Sequence, residues 1–490
     1  MRDGILRAVT RESSPCVVVA LLAVLVLLGL GSFVGPDSWL ALVAGRIVAH
    51  DGPPSTDTLT TWTLGVDWVD QQWLGQLLLY AIWRTGGLTL VGLLHAITVI
   101  GTFSLILRGA RHRGGSPGHT ALIGLMALTP YLLVAGNIRT QSLALPLFAA
   151  VLWLLCADSR APTARVLWTL PLLVLWANIH GSVVLGAFLT GMAGAVQLMR
   201  PGGGAARRPT ALALVVLPGL TLMVTPYGSA FFTYLRDLLG NAEIARIASD
   251  WQPVVLETVN VPFFALATVA LLLLGRDRSS LTVFEQAVLA VTLVGALSAA
   301  RNLAWFALAA ALLLPALVTQ ARGARARSWI PRRFAEPLAV VTISGAVVAS
   351  VVGLTNMTDQ VDRRFPPGAA NLVARLADDD AALLIFAHPR YADWLLFREP
   401  NLAGRIPFDI RFELLAEAQL RRFTIFRDQI GAEWERALGG ARLVITDSRD
   451  RPLDALPSTS TVLQREPGAR LLFVAGGTAV VLRARSPATP

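Results

Sequence analysis

Apolar runs of about 20 residues, the length a helix needs to cross a bilayer, recur along the first three-quarters of the chain. Short arginine-bearing segments separate them. The runs fall at 16–34, 88–107, 118–136, 141–157, 165–180, 182–199, 210–226, 261–275, 284–300, 303–320 and 336–354, and predict about 11 membrane-spanning helices. The segment Gln71–Arg84 is apolar on one face but short, and it carries Trp and Gln. That pattern predicts a helix lying in the membrane interface. Past residue 357 the pattern changes. Short β-branched runs at 382–387, 442–448, 471–475 and 478–484 alternate with helical stretches such as Glu413–Arg422. They predict a small soluble α/β domain over 358–490, following a transmembrane domain over 1–357.

Charge decides sidedness. With the N-terminus inside, the inner segments hold 18 arginines. The outer ones hold six: Arg46, Arg84, Arg139, Arg236, Arg246 and Arg301. Making 71–84 a span would flip everything downstream and put the basic loops outside, against the positive-inside rule. The first long loop, 35–87, and the C-terminal α/β domain are therefore both expected outside the membrane.

Composition agrees with this reading. The chain has 490 residues, 54% of them hydrophobic and 15% charged, which excludes an ordinary soluble domain. A net charge of +10 in a soluble chain would suggest nucleic acid. Here the arginines lie between apolar runs, so topology explains them and no nucleic-acid partner is expected. Cys16 and Cys156 both fall within apolar runs, which argues against a disulfide framework or a cysteine metal site. The basic start and the run 16–34, without a small-residue cleavage site, predict a retained signal-anchor helix.

Candidate chemistry gathers on the outer side. The stretch Ser32–Ile82 carries five aspartates (37, 51, 57, 67 and 70) and four tryptophans (39, 62, 68 and 73). Asp37 follows Gly-Pro at the mouth of the first span, where a carboxylate is costly. It suits a general base or an acceptor-binding carboxylate, or alternatively an N-cap for a helix over 38–49. Asp57 can contribute hard oxygens to a divalent cation or simply cap a turn. The tryptophans suit an aromatic belt at headgroup depth, or platforms for a sugar ring. Arg139 and Arg301 break the positive-inside trend. Each can grip a phosphate through bidentate hydrogen bonds or pair with an outer acid such as Asp250 or Glu243. Asn178, His180 and Asp250 are auxiliary polar groups on the same side, and a lone histidine such as His180 is as well read as structural.

Several motifs carry a resemblance. They are "DSWLALVAGRIVAH" (37–50), "QQWLGQLLLYAIWRTGG" (71–87), "WANIHGSVVLG" (176–186), "TPYG" (225–228), "SDWQP" (249–253), "YADWLL" (391–396) and "RIPFDIRFELL" (405–415). Together they resemble the GT-C membrane glycosyltransferases, a superfamily that includes the oligosaccharyltransferase catalytic subunit and protein O-mannosyltransferases. The resemblance implies a polyprenyl-phosphate-linked sugar donor, an acceptor of unspecified chemistry, and transfer at the outer face of the plasma membrane. It makes Asp37 the catalytic acid, with Arg139 and Arg301 on the donor phosphate and a divalent cation (Mg or Mn) on Asp37 or Asp57 if a metal is used. The competing reading is a transporter or a lipid or cell-envelope assembly protein with an external partner-binding domain. Spans almost free of acids and without paired repeats favour the enzyme.

Overall fold

The computed structural model describes residues 13–200, 207–322, 332–430, 434–447 and 458–484. The basic stretch 1–12, parts of the basic loops 200–209 and 321–335, and Ser448 lie outside these residues. Among the described residues, seven helices are long and apolar enough to cross a membrane. They are Ser14–Phe33, Trp73–His112, Pro117–Ala135, Gln141–Arg160, Thr258–Arg276, Ala300–Ala321 and Val340–Arg364. Four shorter apolar helices, Ala164–Ala177, Val183–Met199, Arg208–Thr221 and Val283–Ser298, fall where spans were expected at 165–180, 182–199, 210–226 and 284–300. The protein is thus a multi-pass helical membrane protein with a small sheet near its C-terminus.

The helix Trp73–His112 is broken by Gly86 and Gly87, and Gly87 adopts a left-handed φ of 62°. A residue with a Cβ disfavours that conformation. The break separates the 71–84 segment from the span expected at 88–107.

The chain forms two compact units. One comprises residues 1–33, 89–231 and 249–355 and holds most of the apolar helices. Within it, Pro117–Ala135 packs on Leu303–Arg322 and on Ser13–Gly29. Small residues allow close helix approach here, as expected where lipid gives no hydrophobic drive between helices. A Cβ on Gly194 would lie 2.6 Å from the Ala211 carbonyl oxygen, so Val183–Met199 and Arg208–Thr221 touch backbone to backbone.

The other unit comprises residues 34–88, 232–248 and 356–490. It joins the first loop to the C-terminal region, a partnership that the sequence pattern does not reveal. Its sheet has the order β1-β2-β4-β3, with β1 Ile385–Ala387, β2 Leu443–Asp447, β3 Arg470–Ala475 and β4 Thr478–Leu482. β1 and β2 run parallel, Ile385 opposite Leu443. β4 is antiparallel to both β2 and β3. Gly476 and Gly477, with φ of 58° and 88°, make the two-residue hairpin turn between β3 and β4. β1 and β2 are buried along their whole length, which explains their apolar sequence.

The first loop adds its backbone to this unit. Thr61 N–H donates to Ile406 O at 2.9 Å, Trp62 N–H to Pro407 O at 2.9 Å, and Gly404 N–H to Leu59 O at 2.9 Å. Helix Pro36–Asp51 lies against helix Pro389–Arg398. Arg46 donates to the carbonyls of Leu396 (2.7 Å) and Phe397 (2.9 Å), supplying partners for groups left open at that helix's C-terminus. Trp39 and Trp68 are buried within the unit, so neither is a lipid-facing belt residue or an open sugar platform. Trp39 packs edge-on to Phe365 at 5.4 Å and beside Phe397 at 5.5 Å.

Candidate functional site

Within the first unit, the loops at the helix ends bring together four of the polar residues singled out from sequence. Arg139 precedes helix Gln141–Arg160, His180 lies between Thr169–Ala177 and Val183–Met199, and Asp250 and Arg301 sit in short turns of 3₁₀ helix. The two turns are stitched together, with Ala300 N–H donating to Gln252 O at 3.0 Å.

Arg139 and Asp250 form an ion pair, but a loose one, with 3.7 Å between Nη1 and Oδ2. The Arg139 side chain is 11% exposed and that of Asp250 40%. Arg139 Nε is buried with no hydrogen-bond partner among the described residues. A buried cationic N–H without an acceptor is costly. The guanidinium of Arg301 lies over the indole of Trp251, 4.1 Å from the ring centroid, so one face of the cation is held by a π surface.

His180 is buried, and its Nδ1 accepts the Ser182 backbone N–H at 3.1 Å. An Nδ1 that accepts carries no proton, so the ring is neutral with its hydrogen on Nε2. Its pKa is well below the usual histidine value, first through burial and then through the positive charges of Arg301 and Arg139. The three side chains therefore form one electropositive group with a neutral imidazole donor inside it. Asn178 is a staple beside them. Its amide donates to Val174 O at 2.8 Å and Val224 O at 2.9 Å, fastening the end of one helix to the chain after another.

Asp37 and Asp57 belong to the second unit. Helix Pro36–Asp51 begins with Gly35 in the cap position, and Ser38 Oγ accepts the Gly35 N–H at 3.1 Å. Asp37 is two positions past that cap, so it is not the N-cap residue. It is exposed in the first turn, where a negative charge is favoured by the helix dipole. Asp57 is buried and accepts from Leu59 N (3.0 Å), Thr60 Oγ1 (2.8 Å), Thr63 Oγ1 (2.6 Å) and Arg411 Nη2 (2.8 Å). Burial alone would raise its pKa, but Arg411 and these donors outweigh that and hold it below the ordinary carboxylate range.

This donor set fits a buried ion pair rather than a divalent cation, because the guanidinium already stands where a cation would bind. Among the described residues there is no cluster of three His, Cys, Asp or Glu side chains able to hold a metal ion.

Arg411 also binds Asp409, at 2.5 Å through Nη2 and 2.8 Å through Nε, while its Nη1 has no partner among the described residues. Beside this group, Asp393 is fully buried and neither of its oxygens has a hydrogen-bond partner among the described residues. Burial, then the charge of Asp409, and in smaller part that of Asp37, hold its carboxyl well above the usual range. Sequence reasoning did not single out Asp393, Asp409 or Arg411, although all three stand inside the "YADWLL" and "RIPFDIRFELL" stretches.

The fold has solved counterparts. The apo oligosaccharyltransferase of Archaeoglobus fulgidus superposes with a TM-score of 0.52 at 12% identity, over 89% of this chain and 69% of that one. The same organism's AglB, in complex with an inhibitory peptide and a dolichol-phosphate, gives 0.52 at 11% identity over the same shares. ArnT from Cupriavidus metallidurans, bound to undecaprenyl phosphate, gives 0.51 at 15% identity over 97% of this chain and 98% of that one. No family model and no curated protein sequence matches the chain. The protein therefore has the fold of the GT-C membrane glycosyltransferases. The resemblance read from its motifs extends to three dimensions.

Proposed function

We propose that the chain transfers a sugar from a polyprenyl-phosphate-linked donor to an acceptor at the outer face of the plasma membrane, with its C-terminal region extracytoplasmic. Arg139 and Arg301 hold the donor phosphate, His180 adds a neutral N–H, and Asp37 orients the acceptor and takes its proton as the glycosidic bond to phosphate breaks. The polyprenyl phosphate leaves with the bonding electrons, and the two guanidinium groups stabilise its growing charge. Asn178 braces the histidine loop. Asp57 stays a structural partner of Arg411, and no step requires a metal there.

The observation that carries this reading is Arg139. Among the described residues its Nε is buried without an acceptor and its carboxylate partner is 3.7 Å away, so the cation retains capacity for an oxyanion. The lipid phosphates in the AglB and ArnT structures support the same class of ligand. Binding of undecaprenyl phosphate to the purified protein tests it. Arg139→Gln and Arg301→Gln should each weaken binding by about tenfold or more, the scale of a lost charge-assisted hydrogen bond. Unchanged binding in both variants would remove the assignment.

A further inference from the structure

His95 is a buried histidine in the largely apolar stretch 88–100 of helix Trp73–His112. A polar ring inside a membrane helix is costly, and such residues mark function. Its Nδ1 lies 3.0 Å from Ser142 Oγ, and Ser142 Oγ lies 3.2 Å from the Asn137 carbonyl oxygen. A carbonyl only accepts, so the serine proton goes to Asn137, and the hydrogen between the other two atoms sits on His95 Nδ1. Nε2 is then bare, and among the described residues it has no partner. A buried nitrogen without a donor costs free energy. An apolar ring would fill the same space without that cost, so what the histidine supplies is the Nδ1 bond.

Ser142 brackets Arg139. Its backbone N–H donates to Arg139 O at 3.0 Å, while its hydroxyl reaches back to Asn137 O. Within the same turn, Ile138 N–H donates to Phe33 O at 3.0 Å, and the Phe33 ring stands beside the His95 ring with centroids 6.0 Å apart. The Arg139 head itself is loosely held, 3.7 Å from Asp250 and with Nε unpartnered among the described residues. Its place is therefore set by the turn 137–142, which His95 fastens to helix Trp73–His112. Resting on the phosphate assignment above, we infer that His95 is a positioning residue for Arg139. Through Ser142 it fixes the turn that presents the guanidinium to the donor phosphate.

Binding of undecaprenyl phosphate to the full-length protein in detergent tests the inference, with the melting temperature measured alongside. His95→Phe keeps an aromatic ring but deletes the donor, and should weaken binding by about fivefold or more. Ser142→Ala should do the same. His95→Asn, whose amide N–H can stand in for Nδ1–H, should return binding to within about twofold of the unmodified protein. The sharpest comparison is made in an Arg139→Gln background. There His95→Phe should change binding by less than about twofold, because no guanidinium is left to place. A general loss of structure would instead weaken binding by the same factor in both backgrounds. Equal factors, or unweakened binding in both His95→Phe and Ser142→Ala, overturn the inference and leave the phosphate assignment standing. If His95→Phe does not fold, Ser142→Ala and its double variant with Arg139→Gln carry the same comparison. Arg139→Gln binding as tightly as the unmodified protein is the separate failure of the phosphate assignment, and the inference falls with it.

Discussion

Arg411 donates to Asp57 at 2.8 Å, closing a contact between residues 354 positions apart in the chain. Both side chains are almost fully buried, and Arg411 is shared with Asp409. The first loop and the C-terminal region are joined by a charged knot as well as by apolar packing.

Cutting that knot at Arg411 should be severe. Arg411→Met leaves Asp57 and Asp409 without their cation, and losing one partner of a buried pair costs about 3–5 kcal/mol. The melting temperature in detergent should fall sharply. A double Arg411→Met, Asp57→Asn variant should recover part of the loss, because one stranded charge is then gone. Equal stability of the single variant and the unmodified protein would contradict the role given to Arg411.

How much of this was legible in the sequence follows from range. The apolar runs were readable because each run is itself the signal, and the β-rich runs at 471–475 and 478–484 were readable as strands, although their pairing through a Gly476–Gly477 turn was not read. Arg139 and Arg301 were readable as outliers against a charge rule, and His180 only as a lone polar group on the same side. The Asp57–Arg411 pair was not, because nothing local at either residue names its partner. The burial of Trp39 and Trp68 was hidden for the same reason, since an indole beside a membrane span looks alike in a belt and in a core. Asp37 was read as a possible N-cap because Gly35, which holds that position, has no side chain to advertise it.

Asp70 predicts a pH effect. Burial pushes its carboxyl up to about 7. A carboxyl raised in the folded state keeps its proton when the unfolded chain, with a value near 3.8, has lost it. This residue's contribution to stability is present below about pH 4 and is lost as pH rises toward 7. Asp70→Asn should therefore raise the melting temperature at pH 8 and change it little at pH 4. The opposite ordering in a pair of thermal melts would refute the assignment.

His180 acts in the reverse sense. Its folded pKa is depressed, so the stability it contributes is present above the ordinary histidine value near 6.5 and is lost as pH falls below it. Phosphate binding should hold steady between pH 7 and 8. His180→Gln should remove the acid-side fall in thermal stability that the histidine causes. A melting profile below pH 6.5 that is the same in both proteins would show that the histidine is not buried neutral.

Gly45 tests the packing of the first loop. A Cβ there would lie 2.3 Å from the Gln76 carbonyl oxygen, so helix Pro36–Asp51 touches the chain at Gln76 directly. Gly45→Val should cost about 1–3 kcal/mol or more through overpacking. Gly219→Ala, on a helix where nothing lies within 4 Å, should be neutral or stabilising by up to about 1 kcal/mol. Comparable losses in the two variants would mean that the close approach at Gly45 is not real.

On the proposed reading, Asp37 stands at the reacting end of a glycosyl transfer. Reconstituting the protein in vesicles with radiolabelled polyprenyl phosphate sugars, beside an Asp37→Asn variant, measures it most directly. Label should move from the donor to an acceptor in the unmodified protein, with little or no movement in the variant although it still binds the donor. Donor bound equally by both proteins, with label transferred by neither, would contradict it.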